Sequence, residues 1–429
     1  MKCFHSLRIL LPILFVIFSL NSVAQYENEQ YYGNVVFREE IKSVLLFRAG
    51  AVLSHPIITL GTDEQLVLKF DDLSGELRNY SYTLIHCDAD WNESFVIQQE
   101  YLEGFVDNPL DDFARSFNTI VSYTNYQLLI PNERVQIKYS GNYALVVFED
   151  HDREKVVLTR RFQVLDPRVE ITGRVKRATF DPFKGDNQEV DFSIMHERLK
   201  IDNPRDEVKV VVMKNRRWDN AITGLKPLFV RPNELVYDYQ QENVFAGGNE
   251  YRYFDARTYR YNGENVLAVE FHRPYYHLTL NTDEIRSNKK YAEYREMNGN
   301  YVVESQDRID DADTECDYVF VHFTLPMDAP LVGGSVHVFG ALTDWNANSG
   351  NEMSWSFERA AYELTLLLKQ GYYNYQYVYL PDRATAAEES VLEGSHVETE
   401  NEYQILVYYR SRSGRYDELV GHQILNSRN

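Results

Sequence analysis

The pattern in this sequence that comes nearest to a metal site is the alternation of oxygen-bearing side chains at residues 88–92. Asp88, Asp90 and Asn92 alternate as the first ligands of a calcium-binding loop do. The loop then fails, because Glu93 stands where the sharp turn needs glycine and Gln99 stands where a bidentate glutamate is needed. We therefore predict no metal here, and a strand-end turn capped by Asp88 and Asn92 instead.

The sequence contains none of the short motifs that mark common catalytic sites. It has no Gly-x-Ser-x-Gly nucleophile turn, no Gly-x-x-x-x-Gly-Lys phosphate loop, no His-Glu-x-x-His helix and no Cys-x-x-Cys pair. With 65 acidic residues, paired carboxylates arise by chance and do not identify a glycosidase. We predict a protein that is not an enzyme and binds no cofactor. An envelope enzyme with an unrecognised site is the weakest alternative.

A tryptophan in the last third of the chain could stack on a sugar ring. The order of residues 336–346, 362–367 and 371–377 resembles the early-set immunoglobulin-like modules typified by glycogen-binding domains, in which a tryptophan like Trp345 stacks on sugar. Those modules place a second platform tryptophan where this chain has Ala384. Because half of the stacking surface is missing, a periplasmic carbohydrate-binding protein is the alternative function, and the resemblance bears mainly on the fold.

Short alternating segments, and not long amphipathic helices, run through the whole chain. Residues 65–70 and 80–84 alternate polar and apolar side chains on either side of a turn-rich stretch, and residues 143–148 and 156–164 predict a hairpin. The predicted fold class is all-β, made of consecutive immunoglobulin-like β-sandwich modules. The last module resembles an early-set, glycogen-binding-like domain.

Two interruptions divide the chain into three predicted domains. Pro167 blocks the continuation of a central strand, and the acidic loop at residues 307–315 is a plausible linker. We predict an N-terminal β-sandwich at 25–167, a middle β domain at 168–306 and a C-terminal immunoglobulin-like β-sandwich at 316–429.

The N-terminus predicts export from the cytoplasm. Lys2 and Arg8 precede an apolar run at residues 9–20, and small residues ending in Ala24 follow it, which is the order of a secretory signal peptide at 1–24. The run is 12 residues long, short of the roughly 20 that a membrane-spanning helix needs. We predict cleavage after Ala24 and no direct membrane span. No cysteine follows the run where a lipoprotein would be acylated, so a lipid anchor is not expected.

Charge and cysteine content restrict the partners and the covalent structure. The formal net charge is −21, and a surface this acidic repels phosphate backbones and anionic membranes, so nucleic acid is not an expected partner. The exported part keeps Cys87 and Cys316, too few for a disulfide scaffold. Two buried thiols and one long-range disulfide are both open at this point.

Several longer stretches are similar to one protein family. They are residues 70–73, 85–91, 99–105, 247–255 and, most specific of all, 217–229. Together they resemble the plug proteins of the type IX secretion system of Bacteroidota. The resemblance implies a periplasmic protein on the inner side of the outer membrane. It also implies that the giant outer-membrane translocon barrel is its partner, and that it seals the barrel pore when no substrate or shuttle protein is inside.

No functional residue carries over from the family, so contact residues are predicted from residue type alone. The loops around Trp91 and Trp218 are predicted to contact the partner, since aromatic side chains are enriched at interface hot spots. Packing of the same two tryptophans in the protein core is the alternative. Trp345 is the predicted sugar platform if the carbohydrate-binding function holds.

Overall fold

The computed structural model describes residues 32–307 and 309–428, and nearly all of their regular structure is β-strand. The prediction of an all-β chain of sandwich modules is confirmed, while the immunoglobulin-like and early-set details stay predictions. The predicted signal peptide and its cleavage site lie outside the described residues. Within those residues, no helix has the length and apolar content that would let it cross a membrane. The helices are α1 (Gln98–Tyr101), α2 (Pro204–Glu207), α3 (Ala312–Glu315) and α4 (Ser390–Glu393), with 3₁₀ turns at Asp181–Phe183 and Ala341–Thr343.

Residues 32–166 form the N-terminal sandwich, two sheets that face each other across an apolar core. Leu66, Leu68 and Phe70 alternate with half-buried residues, which turns one face of their strand into this core. In chain order the strands are β1 (Val35–Val36), β2 (Ile41–Arg48), β3 (Ile57–Thr59), β4 (Leu66–Asp72), β5 (Tyr80–Cys87), β6 (Leu102–Gly104), β7 (Asn108–Leu110), β8 (Asp112–Arg115), β9 (Thr124–Ile130), β10 (Val135–Ile137), β11 (Gly141–Glu149) and β12 (Val156–Leu165).

One sheet of the N-terminal sandwich is covered on both faces. It runs in the order β1-β12-β11-β5-β7, with β3 parallel to β12, and the other sheet runs β2-β4-β9-β8. Strands β6 and β10 form a separate ribbon. In β11, Tyr143, Leu145 and Val147 face the core, whereas Val146 and Phe148 face away into a second apolar cluster. This double burial explains why β11 is apolar almost throughout.

The rest of the chain forms two further sandwiches, whose strands are interleaved along the sequence. In chain order they are β13 (Glu170–Arg177), β14 (Asn187–Met195), β15 (Val208–Lys214), β16 (Ile222–Thr223), β17 (Phe229–Arg231), β18 (Glu234–Tyr237), β19 (Val244–Ala246), β20 (Arg252–Asp255), β21 (Val266–His272), β22 (Tyr275–Leu280), β23 (Tyr301–Val303), β24 (Tyr318–Pro326), β25 (Gly334–Phe339), β26 (Ser354–Ser356), β27 (Ala361–Lys369), β28 (Gly371–Pro381), β29 (Glu402–Tyr409) and β30 (Glu418–Asn426).

The middle sandwich combines strands from two distant parts of the chain. Its first sheet runs β13-β14-β18-β17, with β19 also paired to β14, and its second sheet runs β16-β15-β29-β30. Val208, Val210 and Val212 of β15 point into the core together with Ile405 and Val407 of β29. The C-terminal hairpin therefore supplies half of one sheet.

The third sandwich is centred on β28, the longest strand. One half of β28 pairs with β20 and β23, and the other half pairs with β25. The facing sheet runs β21-β22-β24-β27-β26, and its strands β22 and β24 are parallel. Aromatic rings fill the core between the sheets: Phe254 stacks on Tyr373, and Phe323 packs edge-on against Phe254 and Tyr375.

Strand pairing crosses the domain boundaries predicted from the sequence. Strands β29 and β30 fall in the predicted C-terminal domain at 316–429 but pair with β15 of the middle sandwich. Strands β20 to β23 fall in the predicted middle domain at 168–306 but belong to the third sandwich. Strands β29 and β30 form a hairpin, but alternating side chains suit many sheet edges, so alternation cannot assign a hairpin to a sandwich.

Apolar side chains hold the N-terminal and middle sandwiches together. Val211 and Met213 of β15, with Leu406 and Tyr408 of β29, turn away from the middle core and pack in one cluster with Ile57 of the N-terminal sandwich. Strand β15 is therefore apolar at successive positions because both of its faces are covered. An apolar interface of this kind favours a fixed arrangement of the two sandwiches.

The two cysteines of the described residues are free and buried, so the alternative of two buried thiols is confirmed. Burial raises the pKa of the Cys87 thiol to about 12 and that of the Cys316 thiol to about 12. Both thiols are therefore protonated near neutral pH and unreactive as nucleophiles.

Candidate functional site at the junction of the sandwiches

The turn after β5 brings Trp91 to the junction between sandwiches. Asp88 Oδ1 accepts hydrogen bonds of 2.9 Å from the main-chain N–H groups of Asp90 and Asn92, and the N–H of Asp88 donates to the carbonyl oxygen of Asn92. Trp91 has a left-handed backbone, with φ of 62°. The capped strand-end turn predicted from the sequence is confirmed by these hydrogen bonds.

Trp91 and Trp218, the predicted partner contacts, meet each other at this junction. Their rings pack edge to face with centroids 5.2 Å apart. The guanidinium of Arg161 lies over both rings, 4.3 Å from the centroid of Trp91 and 5.3 Å from that of Trp218. Cation–π contacts stabilise by about 0.5–2 kcal/mol. Trp91 is only 5% exposed, so most of its surface contacts this chain, and a partner contact at either tryptophan stays a prediction.

Trp345, the predicted sugar platform, belongs to the third sandwich and lines the same cavity as Trp218. Its ring packs edge-on against Tyr251 and Phe339, with both centroid distances 6.0 Å. A Cβ at residue 299 would lie 2.4 Å from Cη2 of Trp345, so Gly299 is the residue that fits there. Ala384 is exposed and supplies no second ring. Sugar binding at Trp345 stays a prediction, which titration with soluble glycans would test.

The residue before Trp345 fastens its loop to the N-terminal sandwich. Both carboxylate oxygens of Asp344 accept from Nη2 of Arg160 at 2.9 Å. Arg160 lies on β12 and is buried, and its Nη1 also donates to the carbonyl oxygen of Thr159. Close by, the side-chain amide of Asn346 donates to the carbonyl oxygen of Asn34 at 2.7 Å. These contacts join the third sandwich to the first.

The loop that packs on Trp345 contains a carboxyl group whose replacement should make stability depend less on pH. Glu296 accepts a hydrogen bond from the N–H of Gly299, and burial raises the pKa of Glu296 from 4.5 to about 8. Between these two pH values the folded chain keeps a proton that the unfolded chain releases, so stability falls as pH rises. We expect Glu296→Gln to be about 1–3 kcal/mol more stable than the wild type at pH 8.5.

The measurement is the thermal midpoint at pH 8.5 and pH 4.5. The difference between Glu296→Gln and the wild type should nearly vanish at pH 4.5, where the folded carboxyl group is protonated and the unfolded one is half protonated. Glu358→Gln, at an exposed position of the third sandwich, is the matched control and should show no such pH dependence. Equal midpoints of Glu296→Gln and the wild type at pH 8.5 would contradict the prediction.

Buried ion pairs connect the third sandwich to the other two. Nζ of Lys369 lies 2.6 Å from Oδ2 of Asp71 in the N-terminal sandwich. Glu389, after β28, is bound by Lys214 of β15 and by Nη1 of Arg217 at 2.5 Å. All five side chains are buried. Removing one partner of a buried pair leaves an uncompensated charge, which typically costs about 3–5 kcal/mol.

The sequence analysis did not predict these ion pairs, although two of the residues lie in stretches that it singled out. Asp71 lies in the stretch at residues 70–73, and Arg217 begins the stretch at 217–229, both of which carry the family resemblance. Lys369 directly follows an apolar run at the end of β27. A charged residue at the end of an apolar strand is a candidate for burial, but the sequence does not indicate which residue it pairs with.

An exposed segment along the N-terminal sandwich offers apolar rings to solvent. Phe95 is 90% exposed and Phe105 is 72% exposed, on either side of α1 and β6. The segment is fastened to β5, because the amide of Gln98 donates to Oγ1 of Thr83 and to the carbonyl oxygen of Leu84. Large apolar side chains exposed on a rigid support are typical of protein interaction sites. We call residues 95–105 the exposed segment.

The fold and the junction define the class of this protein. It is a chain of three β-sandwiches that share strands, apolar faces and buried ion pairs. Trp91 and Trp218, which the sequence analysis predicted to contact a partner, pack against each other where the sandwiches meet. Buried ion pairs also join the sandwiches.

Comparison with known proteins identifies the family. Residues 41–166 match the family described as the type 9 secretion system plug protein 1st domain, a range that spans β2 to β12. A crystal structure of a hypothetical protein from Parabacteroides merdae is 37% identical, with a TM-score of 0.90, over 92% of this chain and 99% of that chain. The chain belongs to the family of type IX secretion system plug proteins, as the sequence resemblance implied.

Two further solved structures match with much lower similarity. The alkylpurine DNA glycosylase AlkC of Pseudomonas fluorescens, bound to DNA, is 11% identical over 29% of this chain and 30% of that chain, with a TM-score of 0.16. The collagen adhesin of S. aureus is 8% identical over 89% of this chain and 91% of that chain, with a TM-score of 0.12. No curated protein matches the sequence.

Proposed function

We propose that this protein is a periplasmic, non-catalytic plug that binds the outer-membrane translocon barrel of the type IX secretion system and seals its pore. The observation that carries the proposal is the match of residues 41–166, the N-terminal sandwich, to the plug domain of that system. The 37% identity to a second chain covers 92% of this one, so that similarity includes the middle and third sandwiches as well.

The way the sandwiches are joined supports a sealing role. A plug that seals a pore must keep its shape, so its sandwiches must stay fixed relative to one another. Here the junctions combine apolar packing with buried ion pairs that link residues 175 and 298 positions apart in the chain. Interfaces that are large and apolar hold domains in one arrangement, whereas small polar ones let them move.

The exposed segment is the surface that we assign to barrel contact. It belongs to the sandwich that matches the plug domain, and it overlaps residues 99–105, one of the stretches that resemble the family. Aromatic side chains that lie exposed in the free protein are the usual anchors of an interface. Trp91 of this sandwich packs on Trp218 of the middle one, and on this proposal the pair fixes the position of the sandwich more than it contacts the barrel.

Loss of the protein should make the outer membrane leak without stopping secretion. If the chain closes an otherwise open pore, its deletion should admit large antibiotics that the membrane normally excludes. Deleting the barrel gene as well should restore the permeability barrier, because the open pore is then gone. The measurement is antibiotic sensitivity in single and double deletions, and equal sensitivity in both would contradict the sealing function. A sugar-binding protein or an enzyme predicts no such rescue.

The same deletion strain tests the contact surface. A complementing gene that carries Phe95→Ser together with Phe105→Ser should fail to restore the barrier and should no longer recover the barrel in a pull-down. Phe357→Ser is the matched control, because Phe357 is 86% exposed but lies in the third sandwich, and it should restore both. Full activity of the double variant would contradict the assignment of the exposed segment.

A further inference from the structure

A small cavity lies where the three sandwiches meet. Its volume is about 120 Å³. It reaches the surface at the turn between β2 and β3, where Val52 and Leu53 line it and are themselves exposed. Since one water molecule takes up about 30 Å³ of the liquid, the cavity has room for a small group of a few non-hydrogen atoms.

Positive charge predominates among the ionised side chains that line this cavity. Three arginines line it, Arg160, Arg161 and Arg216, with Asp344 as the carboxylate among its described lining residues. Asp344 is bound to Arg160, so it neutralises one of the three. His55 also lines the cavity, and burial lowers its pKa, so its ring is neutral near pH 7. Three arginines and one carboxylate therefore line a cavity in a chain whose formal net charge is −21.

Arg216 keeps hydrogen-bond donors and charge available at the cavity wall. Its guanidinium donates to the main-chain carbonyl oxygens of Leu53 and Ser54, which engages two of the five N–H groups that an arginine carries. The charge of the Glu402 carboxylate acts on Arg216 from nearby and raises its pKa. That carboxylate is hydrogen-bonded to Nε2 of His55 at 2.6 Å. Burial lowers the pKa of Arg216, as expected for a cation removed from water without a direct carboxylate partner.

The backbone holds Arg216 in this position in an unusual conformation. Asn215 and Arg216 both have left-handed φ angles, 48° and 64°. Asn215 is anchored, because its side chain donates to Asn401 and accepts from the N–H of Glu402. Two consecutive left-handed residues without glycine persist only where the surrounding structure imposes them, and such positions cluster at ligand-binding sites.

Apolar side chains also line the cavity, and we call them its apolar wall: Val44, Phe47, Trp218 and Trp345. They lie beside the charged groups, since the guanidinium of Arg161 lies over the ring of Trp218. A ligand that matches this lining has an anionic end and a short apolar stem. A guanidinium binds a carboxylate through two parallel N–H···O hydrogen bonds, and a carboxylate with its stem has the size that the cavity admits.

We propose that this cavity binds a carboxylate from another polypeptide, a terminal carboxylate or an acidic side chain, with the carboxylate on Arg216 and its stem against the apolar wall. The proposal is independent of the sealing function, because it concerns the purified chain and a small ligand. It gives the junction a binding role beyond joining the three sandwiches.

Titration of the purified protein with sodium propionate tests the proposal. Trp218 and Trp345 line the cavity, so tryptophan fluorescence should change and saturate as propionate binds. Propionamide, the uncharged isostere, should cause no saturable change at the same concentrations. Arg216→Gln should weaken propionate binding by about tenfold or more, since hydrogen bonds to a charged group are the strong ones. Arg216→Lys keeps the charge but loses the two parallel N–H donors of the guanidinium, so it should bind propionate with intermediate affinity.

Arg383→Gln is the matched control, because Arg383 is an exposed arginine that also has a left-handed φ, of 68°. It should bind propionate as the wild type does. The proposal is overturned by a wild type that shows no saturable response to propionate or responds equally to propionamide. It is also overturned if Arg216→Gln and Arg216→Lys both bind propionate with the affinity of the wild type. Tighter binding of inorganic phosphate than of propionate would overturn it as well.

Discussion

Replacing Glu389 with alanine should lower the free energy of unfolding by about 3–5 kcal/mol. Glu389 is buried and binds two buried cations, Lys214 and Arg217, at the boundary between the middle and third sandwiches. Arg217 keeps Asp219 as a second partner, but among the described residues Lys214 keeps only the carbonyl oxygen of Ala246 as a hydrogen-bond acceptor. A buried ammonium without a carboxylate is costly, so the variant should unfold at a much lower urea concentration than the wild type.

The effect should also depend on pH in a defined direction. Burial by itself would raise the pKa of Glu389, but the two cations bring it down from 4.5 to about 2. A lowered carboxyl pKa stabilises the fold above pH 4.5, and this contribution is lost as the pH falls towards 2. The difference in unfolding free energy between the wild type and Glu389→Ala, measured in urea, should therefore narrow from pH 7 to pH 2.5.

Glu388→Ala is the matched control, because Glu388 is the exposed neighbour of Glu389. It should change the free energy of unfolding by less than about 0.5 kcal/mol. An equal loss of stability in both variants would refute the role of the buried pair.

Replacing Lys369 with methionine should cost a similar amount, about 3–5 kcal/mol, at the boundary between the N-terminal and third sandwiches. Its Nζ lies 2.6 Å from Oδ2 of Asp71 and donates to the carbonyl oxygen of Asp313. Asp71 also accepts from the hydroxyl of Tyr318 and the amide of Asn125, both at 2.7 Å. These two donors do not neutralise the carboxylate, so the variant would leave a buried negative charge without a cation.

A double-mutant cycle in urea separates the ion pair from simple loss of packing. Asp71→Asn combined with Lys369→Met removes both charges, and it should be markedly more stable than the sum of the two single variants predicts. The coupling free energy should reach at least about 1–3 kcal/mol, as for groups in direct contact. Additive losses would mean that the two side chains stabilise the junction independently.

Local alternation was sufficient to predict many of the strands. Residues 156–164 were predicted as one arm of a hairpin, and β12 spans Val156–Leu165; residues 143–148 were predicted as the other arm, and β11 spans Gly141–Glu149. Alternation of side chains is a property of neighbouring residues, so it can be read without knowing the rest of the fold. The capped turn at residues 88–92 was predictable for the same reason, since its hydrogen bonds join residues at most four positions apart.

The arrangement of the sandwiches and the charged groups between them could not be predicted in this way. The sequence of the hairpin β29–β30 suits an edge of the middle or of the third sandwich equally well. Only the tertiary structure shows that β29 pairs with β15 of the middle sandwich. Trp91 and Trp218 were singled out for their residue type, but residue type does not say whether an aromatic ring faces a partner or another part of the same chain.

The sequence by itself therefore determined the all-β class, several strand positions, the turn at 88–92 and the resemblance to the plug family, because these depend on neighbouring residues or on long literal stretches. Only the tertiary structure decided which sheets the strands join, and which charges are buried together. It also decided that Arg216 faces a cavity. The pairs that matter are far apart along the chain, Lys214 with Glu389 and Asp71 with Lys369. Their energies arise only when folding removes both partners from water at the same place.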